Sequence, residues 1–200
     1  MILPIHVYGD PILRTEAQDI EADTEAVQQL IDDMIETMRG AAGVGLAAPQ
    51  VGRTERLFVV DLAPMLADME EDEQAALPPQ PMVFINPEIL WESDEDVEFE
   101  EGCLSIPDLR EPVVRPERIR IAYLDRHFAR QEIEVGRTLA RVIQHEYDHL
   151  EGILFVDHIS PFRRSLLKRR LREMARGNVE ADYPLALPDD GEEGKRAPAA

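Results

Sequence analysis

A single cysteine among 200 residues excludes an intramolecular disulfide, so the fold must rest on packing alone and suits a reducing compartment. No apolar run approaches the length that spans a bilayer, and neither a basic stretch nor a long apolar segment precedes Gly9-Asp10-Pro11. A cytoplasmic protein with no membrane partner is therefore expected. Basic charge is scarce as well. The chain carries 21 Lys and Arg against 41 Asp and Glu, a net charge of −20, which argues against broad nucleic-acid affinity and against DNA as a partner. The basic residues that exist are bunched: Arg163, Arg164, Lys168, Arg169, Arg170, Arg172 and Arg176 face only Glu173 within residues 163–176, a local net of +6 that leaves −26 on the other 186 residues. With 44% apolar content, 200 residues suit one domain with a full core.

Along the chain, Val27, Leu30, Ile31, Met34 and Met38 follow a 3.6-residue period, which predicts an amphipathic helix over 25–39 with Asp23 or Thr24 as its N-cap and Gly40 as its stop. Residues 41–52 are rich in Gly and Ala, and Pro49 blocks a long helix there, so a ligand can approach the backbone closely. Runs at 57–62 and 82–85 read as strands, the second ended by Asn86-Pro87. The acidic insert between them, residues 63–80, reads as a solvated loop with one helical turn. A second acidic cluster, from Glu92 to Glu101, reads mostly as solvated surface. Alternation at 118–124 and at Ile133 and Val135 predicts an antiparallel pair. Helices are expected over 137–150 and 161–176. In the second, Phe162, Leu166, Leu167, Leu171 and Met174 supply a face toward the domain. The division expected is a catalytic domain over 1–176 and an acidic, Pro- and Ala-rich flexible tail over 177–200.

Chemistry concentrates in His145-Glu146-Tyr147-Asp148-His149. Side chains four apart on a helix lie one above the other, so both imidazoles can address one metal ion while Glu146 reaches a metal-bound water. Such a pair needs a third protein ligand that leaves a position open. A third histidine ten residues after the first is ruled out by Phe155, although Gly152 stands where that pattern wants a glycine. A glutamate from the following helix is limited to Glu173. The remaining candidate is Cys103, in Glu101-Gly102-Cys103-Leu104-Ser105.

That block, together with Gly43-Val44-Gly45-Leu46-Ala47-Ala48-Pro49-Gln50 and Gln144-His145-Glu146-Tyr147-Asp148-His149-Leu150-Glu151-Gly152, resembles the peptide deformylase family in order and spacing, over roughly residues 5–175. The resemblance implies an α+β fold: antiparallel strands around a central metal-binding HExxH helix, with a C-terminal helix. It implies hydrolytic removal of the formyl group from the N-terminal formyl-methionine of nascent polypeptides, with release of formate. The implied metal ligands are Cys103, His145 and His149, holding Fe(II) in the cell and accepting Zn(II), Ni(II) or Co(II). Glu146 is then the base, Gln50 and the Leu104 N–H hold the oxyanion, and Val44 and Gly45 pair with the substrate backbone. Val142 and Ala140 are candidate walls of the methionine pocket, and a Glu101–Arg110 ion pair is a candidate brace for the cysteine loop. The family usually has a glycine turn where this chain has Arg126-His127-Phe128-Ala129-Arg130. The basic helix is expected to dock on the ribosome, where rRNA supplies phosphate. Two other readings compete: an HExxH metallopeptidase, which the lack of a third ligand at Phe155 disfavours, and a non-catalytic ribosome-associated protein, which would have no need of Gln50, Cys103, Glu146 and both histidines together.

Overall fold

The computed structural model describes residues 1–188. In chain order its elements are β1 (Ile5–His6), α1 (Glu25–Gly40), β2 (Gly45–Ala47), β3 (Leu57–Val60), α2 (Glu71–Ala76) and β4 (Met82–Glu92). There follow β5 (Asp96–Cys103), β6 (Ile106–Pro116), β7 (Arg118–Leu124), β8 (Arg130–Gly136), α3 (Arg137–Leu150), α4 (Pro161–Met174) and β9 (Leu185–Ala186). Five strands form one antiparallel sheet in the order β2-β3-β4-β7-β8, and β5 and β6 pair as a separate long hairpin. The α+β class is as expected. Among the described residues, no helix is long and apolar enough to cross a membrane.

The apolar run in β3 is unbroken because both faces of the sheet are covered. Leu57 and Val59 point to the cluster that contains Ile31, Met34 and Met38 of α1. Phe58 and Val60 point the other way, to Leu139, Ala140, Ile143 and Leu150 of α3. Strand β4 repeats the division, with Val83 and Ile85 toward α1 and Met82 and Phe84 toward α3. Phe58 and Phe84 stack with ring centroids 4.6 Å apart, an aromatic contact that adds about 1 kcal/mol beyond burial. Helix α3 is thus packed against one face of the sheet, and α1 against the other.

Helix α1 begins where expected, with Thr24 accepting from the Val27 N–H. Several other elements differ from expectation. Strand β4 does not stop at Asn86-Pro87 but runs on to Glu92. Asn86 takes a left-handed φ of 47°, its side chain bonds both N–H and C=O of Ile20, and a register shift between Ile85 and Glu88 absorbs the proline. The insert holds a 3-10 segment, Ala63–Asp68, as well as α2, so it has two helical pieces rather than one turn. The acidic stretch before Cys103 is a strand, exposed from Asp96 to Glu100 but fully paired with β6. The turn between β7 and β8 manages without glycine: Phe128 adopts φ 58° and Asp125 Oδ1 accepts from the His127 and Ala129 N–H groups.

Helix α4 turns Leu171 and Met174 inward, at 4% and 3% exposure, but leaves Phe162 and Leu166 at 74% and 68%. The expected five-residue inner face is therefore confined to the second half of the helix, with Leu167 half-buried. The segment after Gly177 is also not free from its start. Its β9 pairs in parallel with β1, Ile5 to Leu185 and His6 to Ala186. The remainder of the expected flexible tail, 189–200, lies outside the described residues.

Candidate active site and metal centre

Three elements converge on one buried point. Helix α3 presents His145 and His149, 7% and 1% exposed, on its inward stripe, with Glu146 at 4% beside them. The β5–β6 hairpin delivers Cys103 at a register shift, where Cys103 pairs with Ile106 across the Leu104-Ser105 turn. The small-residue segment after α1 supplies Gly45 in β2 and Gln50 in a short 3-10 turn. Cys103 Sγ lies 3.2 Å from His149 Nε2. Ligand atoms of Cys103, His145 and His149 all fall within 4.8 Å of one another, the spacing expected of one ion's donors. The two imidazoles meet edge to face at 5.0 Å. Phe155, standing where another metallohydrolase class would place its third histidine, is a buried wall whose ring stacks 6.2 Å from that of His145. Glu173 is on α4, where it accepts from Asn178, and is no part of the cluster.

The donor set fits a divalent metal on further grounds. His145 Nδ1 is taken by Glu101 Oε2 at 2.9 Å, which leaves Nε2 as the free ring atom. Burial favours neutral His145, but the Cys103 sulfur and Glu101 outweigh it and raise the ring well above its ordinary pKa. An imidazole set between the Cys103 sulfur and the Glu101 carboxylate is oriented as a metal-ligating ring would be, with Nδ1 engaged and Nε2 toward the sulfur. Burial, then the charge of His145, pushes His149 well below its ordinary value, so it stays a neutral donor.

Glu146 differs from the other carboxylates here. Burial pushes it up to about 7, and its Oε2 is buried with no hydrogen-bond partner. A carboxylate so placed suits proton transfer near neutral pH. Gln50 is fixed at both ends: its Oε1 accepts from the Ala47 N–H at 2.8 Å, while Nε2 donates to Ser105 Oγ at 3.2 Å and approaches Cys103 Sγ at 3.5 Å. Leu104 packs over Gly43, and its carbonyl accepts from the Tyr183 hydroxyl at 2.8 Å. Burial, with a smaller contribution from Cys103, raises the Tyr183 phenol, which therefore stays protonated as a donor. Val44 and Val142 are half-buried in one apolar cluster with Tyr147, whereas Ala140 is fully buried. Gly45 belongs to an edge strand of the five-stranded sheet.

The expected Glu101–Arg110 brace is not formed. Glu101 is 5% exposed and is taken instead by Arg115, through Nε at 2.7 Å and Nη2 at 3.0 Å, and by Arg141 Nη1 at 3.1 Å. Register explains it: Arg110 lies opposite Gly102 and is exposed, whereas Arg115 turns inward. Burial alone would raise the Glu101 carboxyl, yet His145 and Arg115 hold it well below the carboxylate range. Arg115 also bonds Asp148 at 2.7 Å, extending the network along α3. Arg115, Arg141, Ser105 and Tyr183 were not singled out from the sequence. Arg141 did leave a signal, because it lies four residues before His145 on the buried stripe, where a charge requires a partner.

Comparison with known proteins gives the family. The Polypeptide deformylase family profile matches residues 2–165. The chain belongs to the peptide deformylase family. A peptide deformylase of Salinibacter ruber is 64% identical over 190 residues, covering 95% of this chain and 97% of that protein. The crystal structure of peptide deformylase from Ehrlichia chaffeensis superposes with a TM-score of 0.79 at 34% identity, covering 90% of this chain and all of that one. The deformylase from Thermus thermophilus gives 0.77 at 39% identity, covering 88% and 99%. Peptide deformylases are metal-dependent hydrolases that remove the N-terminal formyl group from nascent polypeptides, and that is the activity of this chain. A metallopeptidase and a non-catalytic binding protein are accordingly set aside.

Proposed function

We propose that Cys103, His145 and His149 hold one divalent ion, that Glu146 moves the proton, and that Gln50 Nε2 and the Leu104 N–H stabilise the oxyanion. The observation that carries this reading is Glu146 Oε2, buried and unpartnered on the helical turn between the two histidines. An ion held by Cys103, His145 and His149 would supply Lewis acidity, lowering the pKa of water toward neutrality. Glu146, poised near 7, accepts the proton at Oε2 and returns it to the departing amine nitrogen, so that formate and a free N-terminus result. Gln50 Nε2, aimed by the Ala47 N–H on its other end, donates where negative charge develops. The open edge of β2 accommodates the substrate backbone as an added strand at Val44 and Gly45, and Val142 contributes to the pocket for the methionine side chain.

Mixed sulfur and nitrogen ligation suits Fe(II) as well as Zn(II); the family resemblance implies Fe(II) as the ion in the cell, with Zn(II), Ni(II) or Co(II) able to replace it. A nascent-chain substrate and a lone cysteine support a cytoplasmic enzyme. The catalytic unit comprises residues 1–176, onto which the segment to Ala186 is built. Docking of α4 on the ribosome is supported by its arginines and by the exposure of Phe162 and Leu166.

The test compares metal-loaded wild type with Glu146→Gln on formyl-Met-Ala and on an unformylated peptide with internal bonds. Formate release by wild type alone, with the internal bonds intact, is expected. Formate release at the wild-type rate by metal-replete Glu146→Gln would overturn the role given to this carboxylate.

A further inference from the structure

The Leu104-Ser105 turn is pinned from outside its own hairpin. Tyr183 Oη donates to Leu104 O at 2.8 Å, and the Tyr8 N–H donates to Ser105 O at 2.8 Å. The segments that deliver these two donors are joined to each other. Ile5–His6 pairs with Leu185–Ala186, and the Ile5 N–H bonds the Pro184 carbonyl at 2.9 Å. Residues 178–186 thus form a strap that begins beyond the end of the family match at residue 165 and returns to the site.

The turn needs such a restraint. A two-residue connection at a register shift has few ladder bonds to define its peptide planes, and Leu104 lies in the middle of it. On one side Cys103 is fixed by its sulfur contacts to His149 and Gln50. On the other side Tyr183 holds the Leu104 carbonyl, the group nearest that peptide, while the Tyr8 N–H and Gln50 hold Ser105 one residue further on. With both ends fixed, the intervening Cys103–Leu104 peptide plane, which carries the Leu104 N–H, loses its freedom to tilt. We infer that Tyr183 is a positioning residue for deformylation, its hydroxyl orienting the Leu104 N–H toward the point where the oxyanion develops. The inference rests on the reading that this N–H is an oxyanion donor. It assigns the strap a part in transition-state binding that its packing alone would not have.

A misdirected donor weakens the transition state and leaves the bound substrate almost untouched, so the loss falls on kcat and not on KM. Tyr183→Phe is the suitable variant, because the ring stays in the apolar cluster with Leu3, Ala41 and Leu104 while the hydroxyl is removed. In full-length, nickel-loaded protein we expect kcat on formyl-Met-Ala to fall about tenfold, with KM within about twofold. Metal content should stay at one ion per chain. A second variant carries the α-hydroxy analogue of leucine at position 104, which converts that amide to an ester and deletes only its N–H. It should lose kcat as well, and Tyr183→Phe added to it should cost little more. Wild-type kcat in Tyr183→Phe, with the ester variant slow, would overturn the inference and leave the oxyanion reading intact. An ester variant as fast as wild type would overturn the oxyanion reading itself. Loss of metal, or a raised KM with kcat unchanged, in Tyr183→Phe would reduce the strap to a structural support and overturn the inference.

Discussion

Gly45 and Glu146 occupy what would otherwise be the same space: a Cβ on Gly45 would stand 2.3 Å from Glu146 Oε1 and 2.7 Å from its Cδ. The carboxylate lies where any other residue in β2 would place its side chain. Gly45 is therefore required for room and not for a special backbone angle, since it is absent from the positive-φ positions. Gly45→Ala should displace the carboxylate and lower formate release by at least about 10²-fold, the scale of a lost general base. Metal occupancy should stay near one, since no ligand is touched. Assay of the metal-replete variant at wild-type rate would show that Glu146 has room elsewhere.

Glu146→Gln should retain the metal and lose activity by about 10²- to 10⁴-fold. It should also change the pH dependence of stability. Burial raises Glu146 from 4.5 to about 7, so between those values the folded, metal-stripped chain keeps a proton that the unfolded chain has released. The stabilisation is complete below about 4.5 and is lost as pH rises through 7. Melting of chelator-treated protein should therefore show wild type losing ground to Glu146→Gln between pH 5 and 8. A difference that stays flat with pH would contradict the raised value.

Glu101→Gln would leave buried Arg115 with Asp148 as its remaining carboxylate and buried Arg141 with backbone carbonyls only. Breaking a buried pair of this kind costs about 3–5 kcal/mol, equivalent to roughly 10 °C in a chain of this size. His145 would also lose its orienting carboxylate, and metal affinity should drop about 10- to 100-fold. Thermal melts and competition with a chelator read the two effects separately.

His149→Ala should abolish stoichiometric metal binding, as elemental analysis will show; full occupancy would refute the ligand set. With iron bound, air or peroxide should inactivate the enzyme by oxidising the metal or Cys103, and nickel should slow that loss. Equal air half-lives for verified iron and nickel forms would argue against iron-dependent lability.

Replacing Arg163, Arg164, Arg169 and Arg170 with Gln should reduce co-sedimentation with ribosomes while sparing hydrolysis of a short formyl-peptide. The binding that remains should be less sensitive to salt. Three of these arginines already have acidic neighbours, Arg163 with Glu111, Arg164 with Asp157 and Arg170 with Asp108. Undiminished co-sedimentation at matched salt would return α4 to a merely solvated basic face.

Helices α1 and α3 and the β7–β8 pair were legible because periodicity is strong where one face is buried and the other wet. The residues of the site were legible through fixed local spacing and through the resemblance of three blocks. The β5–β6 hairpin was not. Its outer half, Asp96 to Glu100, is exposed residue after residue, so no alternation marks it, and its acidic side chains read as loop. Glu101 could not be given its partners either, because pairing with Arg115 depends on a strand register that local sequence does not carry. Asn86-Pro87 looks like a stop until Ile20, remote in sequence, supplies bonds to the asparagine. The strap after Gly177 has only a two-residue strand to announce it.

The pairing of Ile5–His6 with Leu185–Ala186 joins partners 180 positions apart. During synthesis, Ile5–His6 has no partner strand until Leu185 and Ala186 have been made. Tyr183 is likewise among the last of the described residues to leave the ribosome. An enzyme that works on unfinished chains cannot complete this corner of its own fold until Tyr183 and the strand after it have emerged, and a chain cut short before Tyr183 would carry Cys103, His145 and His149 without the hydroxyl that bonds the Leu104 carbonyl.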